Sequence, residues 1–398
     1  MTTNWAIKPL GSIIRLEYGA PLPANARTGE GFPVIGSNGE VGRHKVPYVK
    51  RPGIVIGRKG TVGAVTWSSE AFWPIDTTYY VEPLEDLDER WCFWLLSSLP
   101  LNRLDSSTGV PGLNRNDAYA IEIPVPPLPE QRRIVEILDT VDEAIRQTEA
   151  LISKLKEMKQ GLLHDLLTRG LDENGELRDP VARPDLFKDS PLGRIPRGWE
   201  ARRLGSLCTL LNGLAFKPQD WAEGGLPIIR IQNLNGSSDF NYFDGRVRED
   251  YVIPPGTLLF SWSGSRGTSF GPFIWSGPVG VLNQHIFRVT PVGGIRKHWF
   301  YYALDDIRKR VERHAHGGSG LVHIRRRDLE NYLIATPSEP EQERIESALS
   351  AYDDCIRRED AYLEKLRLLK RGMMQDFLTG RVRVRVPDTT PEPVEAST

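Results

Sequence analysis

The sequence predicts an α/β (α+β) chain built as an internal repeat, in which two globular units alternate with two long helices that pair antiparallel as a coiled coil. Three observations predict it. Residues 126–168 and 337–379 align without a gap at a constant offset of 211. Both stretches carry apolar residues in alternating steps of four and three, the heptad seam of a coiled coil. The segments that precede them share a looser skeleton of short apolar runs divided by Gly and Pro.

The first long helix opens at Pro129-Glu130-Gln131, and its seam is Ile134, Leu138, Val141, Ile145, Ile152, Leu155, Leu162 and Leu166. The second opens at Pro340-Glu341-Gln342, with Ile345, Leu349, Tyr352, Ile356, Leu363, Leu366, Met373 and Phe377. Both end alike, Lys159-Gln160-Gly161 with Asp165-Leu166-Leu167-Thr168 against Lys370-Arg371-Gly372 with Asp376-Phe377-Leu378-Thr379. Identical punctuation at both ends marks a duplication. A seam of about 40 residues, roughly 60 Å at 1.5 Å per residue, needs an apolar partner, and the nearest is the other helix. The first helix leads from one globular unit to the other, so the second runs back antiparallel, which implies a pseudo-two-fold relation. Thr148, Lys159, Glu359 and Lys370 interrupt the seam. They read either as register-fixing polar positions or as poor packing.

Length and composition set the outer bounds. A chain of 398 residues with 39% hydrophobic and 26% charged residues fits two or three soluble domains. No apolar run approaches the roughly 20 residues of a membrane span, and the first residues lack the pattern of a signal peptide. Cys92, Cys208 and Cys355 form neither a disulfide frame nor a zinc pattern, so a cytoplasmic location is expected. Charge is uneven: residues 196–336 carry 18 Lys/Arg against 12 Asp/Glu, a net +6, whereas residues 1–126 carry −1 and each helical segment −3. The basic segment points to a nucleic-acid surface.

Residues 1–126 form the first unit. Runs at 32–36, 53–57, 61–67 and 78–81 read as strands with tight turns, residues 89–101 as an amphipathic helix, 112–117 as a loop and 121–126 as a closing strand. Residues 127–170 form the first long helix. Residues 171–198 are dense in Pro, Asp and Gly and read as an extended linker. Residues 199–336 repeat the first unit: Trp199 with Leu204-Gly205-Ser206 matches Trp5 with Leu10-Gly11-Ser12, and Pro227-Ile228-Ile229 matches Pro33-Val34-Ile35. Residues 299–314 read as a helix and 332–336 as a closing strand. Residues 337–380 are the second long helix. In 381–398, Arg381 to Val386 alternates like a short edge strand, and the remainder is predicted disordered.

Candidate contacts to nucleic acid lie in the loops. Arg58-Lys59-Gly60 and, by alignment, Ser265-Arg266-Gly267 put cations beside Gly, where backbone approaches phosphate closely. Arg325, Arg326 and Arg327 follow the Gly-rich stretch 316–320. Asn114 and Arg115 hold the comparable place in the first copy, and Gln284 and His285 carry base-reading groups. The alternative reading of each is a solvated turn or strand end. His314 and His316 lack the ligand context of a metal site, and no metal is expected.

The layout of globular unit, Pro-x-Pro-Glu-Gln helix, globular unit and second such helix resembles the specificity subunit of Type I restriction-modification systems. The stretch Pro126-Pro127-Leu128-Pro129-Glu130-Gln131-Arg132-Arg133-Ile134 carries the likeness most specifically. Its copy, Pro337-Ser338-Glu339-Pro340-Glu341-Gln342-Glu343-Arg344-Ile345, lacks one Pro and the Leu. The resemblance implies two target-recognition domains, each reading half of a split site in double-stranded DNA. It implies helices that bind two modification (methyltransferase) subunits, restriction (motor/endonuclease) subunits joining through that core, and no catalytic residues in this chain. S-adenosylmethionine, ATP and Mg are then expected on the partner subunits, with no cofactor here. Consistently, the chain has no Walker-type phosphate loop, no Gly-x-Gly-x-x-Gly turn after a strand, and no Asn/Asp-Pro-Pro-Tyr/Phe motif. Two other readings stand beside this one: a coiled-coil scaffold without sequence-selective DNA binding, and a nuclease with duplicated domains.

Overall fold

In the computed structural model the described residues are 5–104, 112–314 and 321–386. The chain divides into two compact units. One takes in residues up to Leu151 together with those from Glu359 onward, and the other is Ile152–Arg358. The two long helices, α4 (Leu128–Thr168) and α8 (Glu339–Leu378), are the expected ones, and each contributes one half to each unit.

In the first unit, β1 (Ala6–Pro9) pairs with β9 (Glu122–Val125), so the two ends of the globular part close on each other just before α4. A short α1 (Leu10–Ile13) leads to β2 (Ile14–Tyr18). Next come β3 (Phe32–Gly36), β4 (Gly39–His44), β5 (Gly53–Gly57), β6 (Val65–Ser68), β7 (Trp73–Pro74) and β8 (Thr78–Pro83). An antiparallel sheet runs in the order β2-β8-β5-β6, and a second runs β4-β3-β7 with β3 and β7 parallel. Helix α2 (Glu89–Ser98) is capped by Asp88, whose carboxylate accepts from the N–H groups of Arg90 and Trp91 at 2.9 Å. Its Trp91, Trp94 and Leu95 join Leu10, Ile13, Leu16, Ile134, Leu138 and Leu378 in one core. Residues 112–117 are not a plain loop: Asn114 caps a short helix α3 (Arg115–Tyr119), accepting from Asn116 N at 2.9 Å.

The second unit repeats this plan. The hairpin of β10 (Phe187–Ser190) and β11 (Gly193–Pro196) comes first. Then β12 (Glu200–Arg203) pairs with the closing strand, as β1 does with β9. The remaining strands are β13 (Cys208–Asn212), β14 (Leu226–Ile229), β15 (Tyr242–Phe243), β16 (Val252–Ile253), β17 (Leu258–Ser261), β18 (Ser263–Ser265), β19 (Gly271–Ile274), β20 (Gly280–Leu282), β21 (Ile286–Pro291), β22 (Leu321–His323) and the closing β23 (Leu333–Thr336). The helices are α5 (Ile231–Leu234), α6 (Lys297–His314) and α7 (Arg326–Glu330). The sheet β13-β21-β17-β19 matches β2-β8-β5-β6 strand for strand. Trp299 on α6 is fully buried, as Trp91 is on α2.

Inside each unit the two helix halves run antiparallel. Ile134, Leu138 and Val141 are buried in the first unit, and Ile345, Leu349 and Ile356 in the second. The heptad reading shifts near the end of α4, where Leu163 is buried and Leu155 and Leu162 are half-buried. The polar seam positions Lys370 and Lys159 are ion-paired to equivalent acids, Asp142 in the first unit and Asp353 in the second. An aromatic ring flanks each cation. Trp94 lies 4.5 Å from Lys370, and Tyr302 lies 5.3 Å from Lys159 while donating to Asp353 at 2.7 Å. Burial, and then that hydrogen bond, raise the Tyr302 hydroxyl far above the ordinary tyrosine range. Thr148 is buried too, its hydroxyl donating to Ala144 O at 2.8 Å.

The Pro-Glu-Gln motifs tie the helix starts down. Gln131 donates to Pro126 O at 2.9 Å and accepts from Asp88 N at 2.9 Å, which locks α4 to the start of α2. Gln342 does the same between Pro337 O at 3.0 Å and Arg296 N at 2.9 Å. Each Glu takes an Arg from the segment that follows the other helix. Glu130 binds Arg383, and Glu341 binds Arg178 at 2.5 Å. Glu341 also accepts from Trp199 Nε1 at 2.9 Å and Leu171 N at 3.0 Å. Gly170 makes room: its φ is +64°, and a Cβ there would stand 2.3 Å from the Glu341 carboxylate.

Two expectations fail here. The segment 171–198 is no extended connector. It carries the β10–β11 hairpin, with Leu171, Phe187 and Ile195 buried, because Glu341 and the second core supply partners that its Pro-rich composition conceals. Arg381 to Val386 forms no strand. It is irregular, held by Arg383 on Glu130 and over the Trp5 ring. Residues 387–398, the 316–320 stretch with His316, and the side chain of His314 lie outside the described residues.

Candidate nucleic-acid interface

Antiparallel pairing brings three connections to one end of each four-stranded sheet. In the first unit, β2 and β5 finish where β8 begins, and in the second, β13 and β17 finish where β21 begins. Side chains that leave the strands there are carried by a rigid scaffold.

In the first unit this end holds Arg58, Lys59 and Arg115. Arg58 follows β5 and donates to Asp76 O at 2.6 Å. Its guanidinium lies 5.2 Å from the Tyr18 ring and 5.9 Å from Tyr79. Arg115 donates to Leu16 O at 3.2 Å and lies 5.4 Å from Tyr18. Tyr18 is 51% exposed. Among the described residues these two arginines are held by carbonyls and rings, not by carboxylates, so their charge is not neutralised locally. Burial, with Tyr18 alongside, pushes the Tyr79 hydroxyl up to about 12. Lys59 is exposed, with its backbone bridged to Gly112. Asn114 spends its side-chain oxygen on the α3 cap.

In the second unit the same backbone carries other side chains. Trp262 takes the place of Arg58: Leu113 N donates to Arg58 O at 2.9 Å, and Ile324 N to Trp262 O at 3.0 Å. Trp262 packs on Phe287, stands edge-on to His285 and His323 at 5.0 and 4.9 Å, and donates to Asn212 Oδ1 at 2.9 Å. Gln284 and His285 lie in the turn before β21, where Asn283 Oδ1 accepts from Gln284 N at 2.8 Å. Arg325, next to Ile324, precedes α7 and is exposed along with Arg326 and Arg327. Arg326 is bound to Glu330 at 2.6 Å.

The sequence alignment of Arg58-Lys59-Gly60 with Ser265-Arg266-Gly267 is therefore out of register with the backbone, because the loop after β17 is longer and carries the extra arm β18. That arm pairs with β22 and takes Arg266 elsewhere. Gly267 N bonds Glu312 on α6 at 2.9 Å, and Arg266 lines a cleft of about 830 Å³ beside Lys309, Arg310 and Arg313. Cations on that cleft are met by acids of α6 itself, Lys309 by Asp305 at 3.5 Å and Arg310 by Asp306 at 3.1 Å. The fold thus gathers Arg58, Lys59 and Arg115 at one sheet end, and Gln284, His285 and Arg325 at the other, and separates Arg266 from them. Tyr18, Asn212, Trp262 and His323 escaped the sequence reading. The offset of 194 that aligns Trp5 with Trp199 also puts Tyr18 opposite Asn212 and was the available signal.

A repeated scaffold that displays different Arg, aromatic and amide groups at equivalent loop positions, with the halves of two long helices paired inside each unit, defines a modular recognition protein. The chain belongs to the Type I restriction modification DNA specificity domain family, whose model matches residues 2–157 and 196–368. It is 25% identical over 316 residues to the Type I restriction enzyme MjaVIII specificity subunit of Methanocaldococcus jannaschii, covering 75% of this chain and 71% of that protein. It is 26% identical over 287 residues to the putative MjaX specificity subunit of the same organism, a match that spans 69% of this chain and 62% of the relative. The crystal structure of a Type I restriction-modification S subunit from M. genitalium shares the fold, with a TM-score of 0.62 at 18% identity over 94% of this chain and 96% of that one.

Proposed function

We propose that the chain is the sequence-recognition subunit of a Type I restriction-modification complex. Each globular unit reads one half of a split site in double-stranded DNA. The helices dock two modification subunits, and restriction subunits join through that core. The chain itself is non-catalytic and works in the cytoplasm. S-adenosylmethionine, ATP and Mg act on the partner subunits. No helix among the described residues is long and apolar enough to cross a membrane.

One observation carries this reading: the same sheet end recurs with matched backbone hydrogen bonds and exchanged side chains, Arg58 and Tyr18 in one copy, Trp262 and Asn212 in the other. A matched frame with unmatched surface chemistry suits two readers of different short sequences better than two copies of one active site. Guanidiniums without local carboxylates supply phosphate affinity, and amide and imidazole groups supply base readout.

The test is methylation mapping in cells that carry the modification partner with and without this chain. A two-part methylated sequence that depends on the chain is expected. Methyl transfer by the purified chain alone, or an unchanged methylation map on its deletion, refutes the reading.

A further inference from the structure

A small recess opens beside the sheet end of the second unit, about 210 Å³, lined by Arg230, Ile231, Gln232, Asn283, His285 and Ile286. It lies where β14 and β20, which pair in parallel, both finish. Its polar residues are each restrained through one group while another stays unbonded. Arg230 lies 4.8 Å from the Trp221 ring and is bonded to Asn241. Asn283 uses its Oδ1 on Gln284 N, and Gln232 uses its Nε2 on Asp239 O at 3.2 Å. Among the described residues, Asn283 Nδ2 and Gln232 Oε1 take no hydrogen bond, and His285 Nδ1 is buried with no partner. A free amide donor, a free amide acceptor and an unpaired imidazole nitrogen therefore meet at one place. The buried imidazole nitrogen costs stability while it stays unpaired, and the two amide groups beside it, on the exposed Gln232 and the half-buried Asn283, are open to a ligand that would complete the cluster.

The first unit shows what the same backbone does without these groups. Pairing of Ile35 with Pro74 matches that of Ile229 with Leu282, so Ser37, Asn38, Ile75 and Thr77 stand where Ile231, Gln232, Asn283 and His285 do. There Ser37 Oγ is bonded to Thr77 O at 3.0 Å and to Thr77 Oγ1 at 3.2 Å, stitching the two connections together. The scaffold does not require the amides of the second copy.

We propose that Gln232 and Asn283 read the edge of one adenine in the half-site of the second unit. Asn283 Nδ2 donates to N7, and Gln232 Oε1 accepts from the N6 amino group. Adenine presents this donor–acceptor pair in the major groove, and guanine presents two acceptors instead. Arg230 and His285 flank the pair on its phosphate or neighbouring-base side. The inference rests on the DNA-reading function proposed above and names residues for it.

The test uses the full chain assembled with its modification subunits, incubated with duplexes of randomised sequence and sequenced after selection. Two variants serve. Gln232→Ala lies on an exposed side chain outside the core. Asn283→Asp keeps the oxygen that Gln284 N needs and replaces the donor by an acceptor. The wild type is expected to select a two-part motif. Gln232→Ala should weaken discrimination at one A·T pair in one half by roughly 10- to 100-fold. Asn283→Asp should change the preferred base at that same pair, and the other half-site should be untouched. Both variants selecting the wild-type motif with wild-type melting temperature overturns the assignment while the function stands. So does an equal drop in affinity across all sequences, which would mean a phosphate contact. A wild type that selects no motif overturns the function and the assignment together.

Discussion

Glu341 offers a quantitative check on how the second unit is held together. Its side chain is 6% exposed and faces Arg178, itself 16% exposed. Trp199 Nε1 and Leu171 N complete its shell. Glu341→Ala leaves a largely buried guanidinium with only the Arg169 carbonyl, to which its Nη1 donates at 3.2 Å, and two N–H donors without partners. Removing one member of a buried ion pair costs about 3–5 kcal/mol, and each of the two abandoned neutral donors about 1–3 kcal/mol more, so a loss of at least about 5 kcal/mol is expected. For a unit of this size that corresponds to a fall of roughly 10–20 °C in melting temperature. Glu130 is the equivalent residue in the first unit, but its Arg383 partner is 45% exposed, and water replaces much of what the carboxylate supplied. Glu130→Ala should therefore lower the melting temperature far less. Differential scanning calorimetry of the full chain, with the two variants compared under the same buffer, measures both. Equal shifts, or a Glu341→Ala shift below about 3 °C, would refute the claim that buried charge pairing closes the second unit.

Other outcomes follow from the same structure. Lys159 and Asp353 should show a coupling of about 1–3 kcal/mol in a double-mutant cycle, since they share one partly buried pair, and urea unfolding measures it. Reversing Arg325, Arg326 and Arg327 to Glu should flatten the dependence of DNA affinity on salt, by about 0.9 in logarithmic slope for each phosphate that is no longer neutralised; an unchanged slope places all three away from DNA. Cys355, half-buried, should react with a thiol reagent in the native chain, whereas Cys92 and Cys208 are buried, with burial pushing both thiols up to about 12, and should react only on unfolding. Tyr79 and Tyr301 are also pushed up to about 12, mainly by burial, from an unfolded value of about 10. Their neutral forms thus favour the fold fully below pH about 10, and that contribution is lost as pH rises from about 10 to 12. Tyrosinate absorbance against pH measures the delayed titration.

The sequence by itself determined the repeat, the two long helices and their mutual pairing, because heptad spacing is written in the apolar residues and survives any change of loop. The fixed offset of 211 also marked Lys159 with Lys370 and Asp142 with Asp353 as equivalents, although only the packed helices made ion pairs of them. Glu130 and Gln131 were visible as a motif, but their work was not. Gln131 reaches Asp88, which lies 43 residues away, and Glu341 reaches Arg178 at a separation of 163. Composition misled at residues 171–198, since Pro and Asp describe local backbone preference and say nothing of a distant core that can bury Leu171 and Ile195. The tertiary structure alone decided which loop residues assemble. Strand pairing, not sequence similarity, sets Trp262 in the place of Arg58 and carries Arg266 away on an added arm. Loop residues have no periodicity to betray them. Their grouping depends on which strand ends meet at one edge of a sheet, and that follows from long-range hydrogen bonding between β13, β21 and β17.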